Sequence, residues 1–117
     1  MKVCDIAKIL NGNILFSNEK CESDFLTACG ADLMSDVMAF ARDNEILLTG
    51  LTNPQVVRTA EMMDIKAIVF VRGKVPPEVS LDLARELGVN IICTKLPMFV
   101  ACGKLYEHGI TGGVHEE

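Results

Sequence analysis

The sequence predicts an α/β domain, a small layered unit with a largely parallel central sheet of about five strands and helices on both faces. Three observations carry that reading. From Glu45 onward, strand-like apolar runs begin about every 22 residues, each followed by a loop, a proline and a helical stretch, which is the pattern of consecutive βαβ units. The runs are nearly continuous in apolar side chains rather than alternating, as expected for strands buried on both faces. Composition agrees: half of the 117 residues are hydrophobic, only 5% are aromatic and there is no Trp, so the core is aliphatic. A chain of this length is expected to form one domain, here 1–110, with 111–117 as a flexible tail.

The elements follow in order. Val3, Ile6, Ala7 and Leu10 stand at helical spacing, and Asn11-Gly12 supplies the stop. Asn13 to Phe16 reads as a short strand. Ser17 to Ser23 is the most polar stretch and reads as an exposed loop, and Phe25 to Ala31 reads as a second strand. With no crossover helix between them, these first two strands are expected as antiparallel additions at one side of the sheet. Met34 to Asp43 reads as a helix capped by Asp32 or Ser35. The regular part then begins. Ile46 to Gly50, Ala67 to Val71 and Asn90 to Thr94 are strands; Pro54, Pro77 and Pro97 open helices running to Met63, Leu87 and about His108. Gly88 and Gly109 close the last two helices.

Two helices carry more apolar surface than one stripe. The Pro77 helix has an ordinary narrow face of Val79, Leu83, Ala84 and Leu87. The Pro97 helix adds Phe99 and Tyr106 to a face of Met98, Ala101, Cys102 and Leu105, and the Met34 helix carries Met34, Val37, Met38, Phe40 and Ala41. Either these are central helices of a three-layer domain, or Met34, Met38, Met98, Phe99 and Tyr106 form a homodimer interface.

Charge and cysteine usage exclude several functions. A net charge of −5 is wrong for a nucleic-acid footprint, and the scarcity of aromatic rings is wrong for a stacking platform. No apolar run approaches a membrane span and no signal-peptide core follows Met1, so a cytoplasmic protein is expected. The five cysteines, Cys4, Cys21, Cys29, Cys93 and Cys102, include no C-x-x-C pair. They are expected to be reduced, buried thiols, with no metal and no cofactor.

Ligands of parallel sheets bind beyond the carboxyl ends of the strands. Here those ends read Thr49-Gly50-Leu51-Thr52-Asn53, Arg72-Gly73-Lys74 and Thr94-Lys95, with no carboxylate following until Glu78. Thr49, Gly50, Thr52, Asn53, Arg72, Gly73, Lys74, Thr94 and Lys95 are therefore the candidate ligand residues, and an anion is the ligand they suit. The same residues also fit helix caps, turns and solvated loop charges. The glycines match neither a P-loop nor G-x-G-x-x-G, so spacing names no nucleotide class. No catalytic residue is assigned: His108 suits a helix C-terminus, His115 lies in the tail, and no nucleophile–base pair assembles.

The runs Ala28-Cys29-Gly30-Ala31-Asp32-Leu33-Met34-Ser35-Asp36-Val37, Leu48-Thr49-Gly50-Leu51-Thr52-Asn53-Pro54 and Thr94-Lys95-Leu96-Pro97-Met98-Phe99 resemble the DRTGG domain family. The likeness is greatest to stand-alone members from anaerobic bacteria and extends from Lys2 to about Gly109. It implies a fold related to the N-terminal domain of HPr kinase, and a commonly dimeric regulatory or ligand-sensing module without catalytic activity. Relatives occur alone or joined to phosphotransacetylases and to pyrophosphatases carrying cystathionine-β-synthase-type domains. Stand-alone members are encoded beside hydrogenase-type and signalling genes, which implies a hydrogenase or signalling protein as partner. The name motif is not kept. Gly50-Leu51-Thr52-Asn53 replaces the family's Gly-Asp-Arg, and Val71-Arg72-Gly73-Lys74 replaces its Thr-Gly-Gly; Thr111-Gly112-Gly113 stands in the wrong place.

The expected function is therefore a regulatory module taking a phosphate-containing small molecule or nucleotide at the strand-end edge, in signalling or redox control of anaerobic metabolism. The alternatives are a protein-interaction subunit with no small ligand and, third, a small phosphoryl- or nucleotide-processing enzyme.

Overall fold

The structure is a computed structural model that describes residues 1–18, 24–41 and 45–112. The elements run α1 (Val3–Ile9), β1 (Asn13–Phe16), β2 (Ala28–Gly30), α2 (Met34–Phe40), β3 (Ile46–Thr49), α3 (Pro54–Met62), β4 (Ala67–Phe70), α4 (Glu78–Leu87), β5 (Asn90–Cys93) and α5 (Met98–Glu107). The five strands form one sheet of order β1-β5-β4-β3-β2. Strands β2 to β5 are mutually parallel, and every residue of β3, β4 and β5 is buried. The α/β architecture read from the apolar runs is thus the one observed.

The strand order decides which helix covers which face. Because β2, β3, β4 and β5 lie side by side in chain order, right-handed crossovers place α2, α3 and α4 on the same face. Their core contains Val37, Val56, Val57, Ala60 and Ala84 packed on Leu47, Ile68, Phe70 and Ile91. The other face is left to the two chain ends. There α1 and α5 bury Ile6, Leu10, Ala101 and Leu105 against Ile46, Leu48, Val69 and Ile92.

The first two strands correct the expectation of two antiparallel additions at one side. β1 is antiparallel to β5 at one edge, whereas β2 is parallel to β3 at the opposite edge. Five strands span about 19 Å between the outer two, a distance that the 11 residues of 17–27, with an extended reach of about 36 Å, can cover. β2 is also shorter than expected. Phe25 leaves the strand to enter the core, its N–H donating to the Met1 carbonyl at 2.7 Å. Beyond 110 the chain returns to this edge, Thr111 forming a parallel bridge with Thr27.

Several local expectations are also corrected. Leu33, not Asp32 or Ser35, is the N-cap of α2, because the Asp32 carboxylate is engaged elsewhere. Pro54 is the first residue of α3, but Pro77 and Pro97 are N-caps, one position before their helices begin. On α4, Val79 is exposed and Ser80 is buried, the reverse of the apolar stripe, because the Ser80 hydroxyl donates to the Thr52 carbonyl at 2.7 Å and so enters the interior with its hydrogen bond satisfied. Cys4 is exposed and Cys29 and Cys102 are half-buried; of the four described cysteines, all free, Cys93 alone is buried. The expected helix residues 42–43, Cys21, the polar loop beyond Asn18, His115 and tail residues 113–117 lie outside the described residues. Among the described residues no helix is long and apolar enough to cross a membrane.

Candidate ligand site at the strand ends

The candidate residues follow three neighbouring strands, and the structure separates them into two groups. The first lies past β3. The Asp32 carboxylate, from the turn after β2, accepts the Gly50 N–H at 2.7 Å and the Thr49 hydroxyl at 3.2 Å through Oδ1. Its Oδ2 faces Arg72 Nη2 at 3.4 Å. The Gly50 N–H, followed by the Thr49 hydroxyl and Arg72, holds this carboxyl below the usual Asp range against an opposing burial effect. A Cβ on Gly50 would lie 2.7 Å from Arg72 Cζ, so a side chain there would displace the guanidinium from its place beside Asp32.

Arg72 is held in place by its backbone. Arg72 and Gly73 have φ of 61° and 72°, both left-handed, inside a turn closed by the Lys74 N–H donating to the Val71 carbonyl at 3.2 Å. The Arg72 N–H donates to the Leu96 carbonyl at 2.8 Å and the Gly73 N–H to the Thr94 carbonyl at 3.0 Å. The turn after β4 is thereby tied to the loop after β5.

The second group lines a cavity of about 270 Å³ formed by Asn11, Asn13, Gly73, Lys74, Val75, Cys93, Thr94 and Lys95. Lys74 and Lys95 are exposed, and neither enters an ion pair among the described residues. The antiparallel register opposes Asn13 to Cys93, bringing the start of β1 to the carboxyl end of β5. Asn11 (φ 50°) precedes it in the turn after α1.

The remaining candidates have internal tasks. The buried Thr94 hydroxyl donates to the Leu10 carbonyl at 2.7 Å and accepts the Leu96 N–H at 3.2 Å. The Thr49 hydroxyl accepts the Leu51 N–H at 3.2 Å besides donating to Asp32. Asn53 caps α3 by accepting the Val56 N–H at 3.3 Å, and the Thr52 carbonyl receives Ser80. The edge is thus less purely cationic than its sequence reads. Asp32 was missed because capping explained it locally; its signal was that β2, if parallel, ends at the same edge. Asn11 and Asn13 were missed because nothing in the sequence assigns β1 a neighbour.

Burial raises the thiols of Cys29 and Cys102 and pushes that of Cys93 up to about 11, so all three are protonated at neutral pH. A His108 ring nitrogen lies 2.7 Å from the Lys104 carbonyl, in the helix-end position its sequence suggested. Among the described residues no three His, Cys, Asp or Glu side chains are grouped to hold a metal.

The suggested interface residues divide between the two faces. Met34 packs with the α2–α4 core and Met38 is exposed beside it; Met98 packs with the α1–α5 core, while Phe99 and Tyr106 are 88% and 67% exposed. Met98 and Cys102 close on Gly30 of the edge strand: a Cβ there would meet Cys102 Sγ at 2.9 Å and Met98 Sδ at 3.2 Å.

A five-stranded, mostly parallel sheet with three helices on one face and the chain ends on the other, with the candidate polar groups at the strand carboxyl ends, defines a small layered α/β fold. The fold is DRTGG-like. It superposes with a TM-score of 0.79 on the CBS and DRTGG domains of the regulatory region of Clostridium perfringens pyrophosphatase, a structure complexed with its activator diadenosine tetraphosphate. The match covers 99% of this chain at 14% identity, and the chain spans about half the length of that one. No family model matches the sequence, and no curated protein matches it.

Proposed function

We propose that this chain is a regulatory, ligand-sensing module without catalytic activity that takes a phosphate-bearing small molecule or nucleotide at the strand-end edge. One observation carries the proposal: Lys74 and Lys95, with no carboxylate partner among the described residues, line a single cavity with Asn11 and Asn13. Two ammonium groups and two amide donors suit a multiply charged anion, whose oxygens accept several hydrogen bonds at once. The pyrophosphatase regulatory region of like fold takes diadenosine tetraphosphate as activator, which supports a nucleotide as the ligand class. The raised thiols favour binding over nucleophilic chemistry. A cytoplasmic, reducing setting accords with the four described cysteines, all free.

The test is calorimetric titration with inorganic pyrophosphate, ATP and diadenosine tetraphosphate, repeated on the Lys74→Ala, Lys95→Ala double variant. At 100 times its dissociation constant a true ligand adds about 2.7 kcal/mol of apparent stability, so a thermal shift should accompany the heat. Loss of binding in the double variant is expected; equal binding by wild type and variant would remove this cavity from the proposal.

The exposed Phe99 and Tyr106 favour a second reading, in which the chain also acts through protein contacts. In that reading Met34, Met38, Met98, Phe99 and Tyr106 meet a second copy, or a hydrogenase or signalling protein of an anaerobe. A copy touching both helices has to wrap around the β2 edge, because α2 and α5 cover opposite faces.

A further inference from the structure

We infer that Asp32 is an internal stand-in for a ligand anion, a latch that holds Arg72 away from the Lys74–Lys95 cavity until an anionic ligand draws it off. The inference rests on the proposed anion site and concerns how that site is controlled. A carboxylate resembles one edge of a phosphate in charge and lone-pair direction, and Asp32 already occupies three donors: the Gly50 N–H, the Thr49 hydroxyl and the Arg72 guanidinium. Two of these come from Thr49 at the end of β3 and from Gly50 directly after it, with hydrogen bonds at 3.2 and 2.7 Å. The third is different. Arg72 meets Asp32 at 3.4 Å, both side chains are nearly half exposed, and no second carboxylate holds the guanidinium among the described residues. Such a pair is weak and exchangeable.

Position makes the exchange effective. Arg72 directly precedes Gly73 and Lys74, which form the cavity wall, and its backbone is pinned to the loop carrying Lys95. A change of side-chain rotamer alone can therefore redirect the guanidinium, with the turn unmoved. Gly50 supports the latched arrangement, since any side chain there would occupy the space taken by the guanidinium. On ligand binding Arg72 becomes a third cation beside Lys74 and Lys95. Asp32 keeps the Thr49 hydroxyl and the Gly50 N–H and loses only its ion pair. The signal of occupancy is thus a broken link between the turn after β2 and the turn after β4.

The test uses Asp32→Asn, Arg72→Ala and the double variant, with pyrophosphate and diadenosine tetraphosphate as probes. Asn retains an Oδ1 acceptor for Gly50 and Thr49, and its uncharged Nδ2, a donor, replaces the Oδ2 that holds Arg72. The latch predicts that Asp32→Asn binds about two- to fivefold more tightly, the scale of an exposed ion pair. It predicts weaker binding by Arg72→Ala and no gain from Asp32→Asn in the Arg72→Ala background. A gain that persists without Arg72 is general relief of charge repulsion and overturns the latch. Unchanged affinity in Asp32→Asn, with binding still dependent on Lys74 and Lys95, overturns the latch alone. Binding by neither wild type nor Asp32→Asn overturns both latch and site.

Discussion

Arg72 is the residue at which conformation and charge are most closely joined. Its φ of 61° costs a non-glycine residue about 1–2 kcal/mol, whereas its exposed pair with Asp32 returns less than about 1 kcal/mol. The backbone preference therefore dominates. Arg72→Gly is expected to be more stable than Arg72→Ala by about 0.5–1 kcal/mol after the greater freedom of glycine in the unfolded chain is subtracted, which urea denaturation of the two variants measures. Asp32 supplies a pH signature. Its carboxyl is lowered chiefly by the Gly50 N–H, so its contribution is present above the unfolded carboxylate pKa near 3.8 and is lost as pH falls through the lower folded value. The stability difference between wild type and Asp32→Asn should accordingly shrink as pH is taken from 5 toward about 3. A difference that instead widens in acid would contradict the assigned hydrogen bonds.

At the scale of elements, α5 joins two environments along one helix. Ala101 and Leu105 are buried on β3, whereas Phe99 and Tyr106 face outward. If this face meets a second copy as proposed, Phe99→Asp with Tyr106→Asp shifts the mass seen by light scattering from dimer to monomer without loss of helical circular dichroism. A wild-type monomer at micromolar concentration would remove the homodimer. Element boundaries were legible wherever a strong local signal stood: Asn11-Gly12 after α1, Pro54 with Asn53 before α3, Gly88 (φ 76°) after α4. The start of α2 and the buried face of α4 were less legible. There Asp32 and Ser80 look like ordinary polar residues of a cap and an outer face, and only their partners 18 and 28 residues away give them other work.

For the whole molecule, the consequence of strand order is that the two chain ends must close one face. Leu105 is at the centre of that closure and 1% exposed, so Leu105→Ala is expected to cost about 2–5 kcal/mol in urea unfolding. A value below about 1 kcal/mol would mean that α5 contributes little to the core.

The sequence by itself determined the fold class, the three central strands and the helices between them. Period, continuous apolar runs and proline-marked helix starts are local properties that a chain carries before it folds. Only the tertiary structure decided that β1 and β2 occupy opposite edges, because pairing partners depend on contacts across long sequence separations. That decision brought Asp32 to Arg72, 40 residues apart, and Asn11 and Asn13 to Lys74 and Lys95. The strand-end edge was legible as a set of cations and hydroxyls. That one carboxylate already sits among them follows from the parallel pairing of β2, which no local pattern in a three-residue strand can announce.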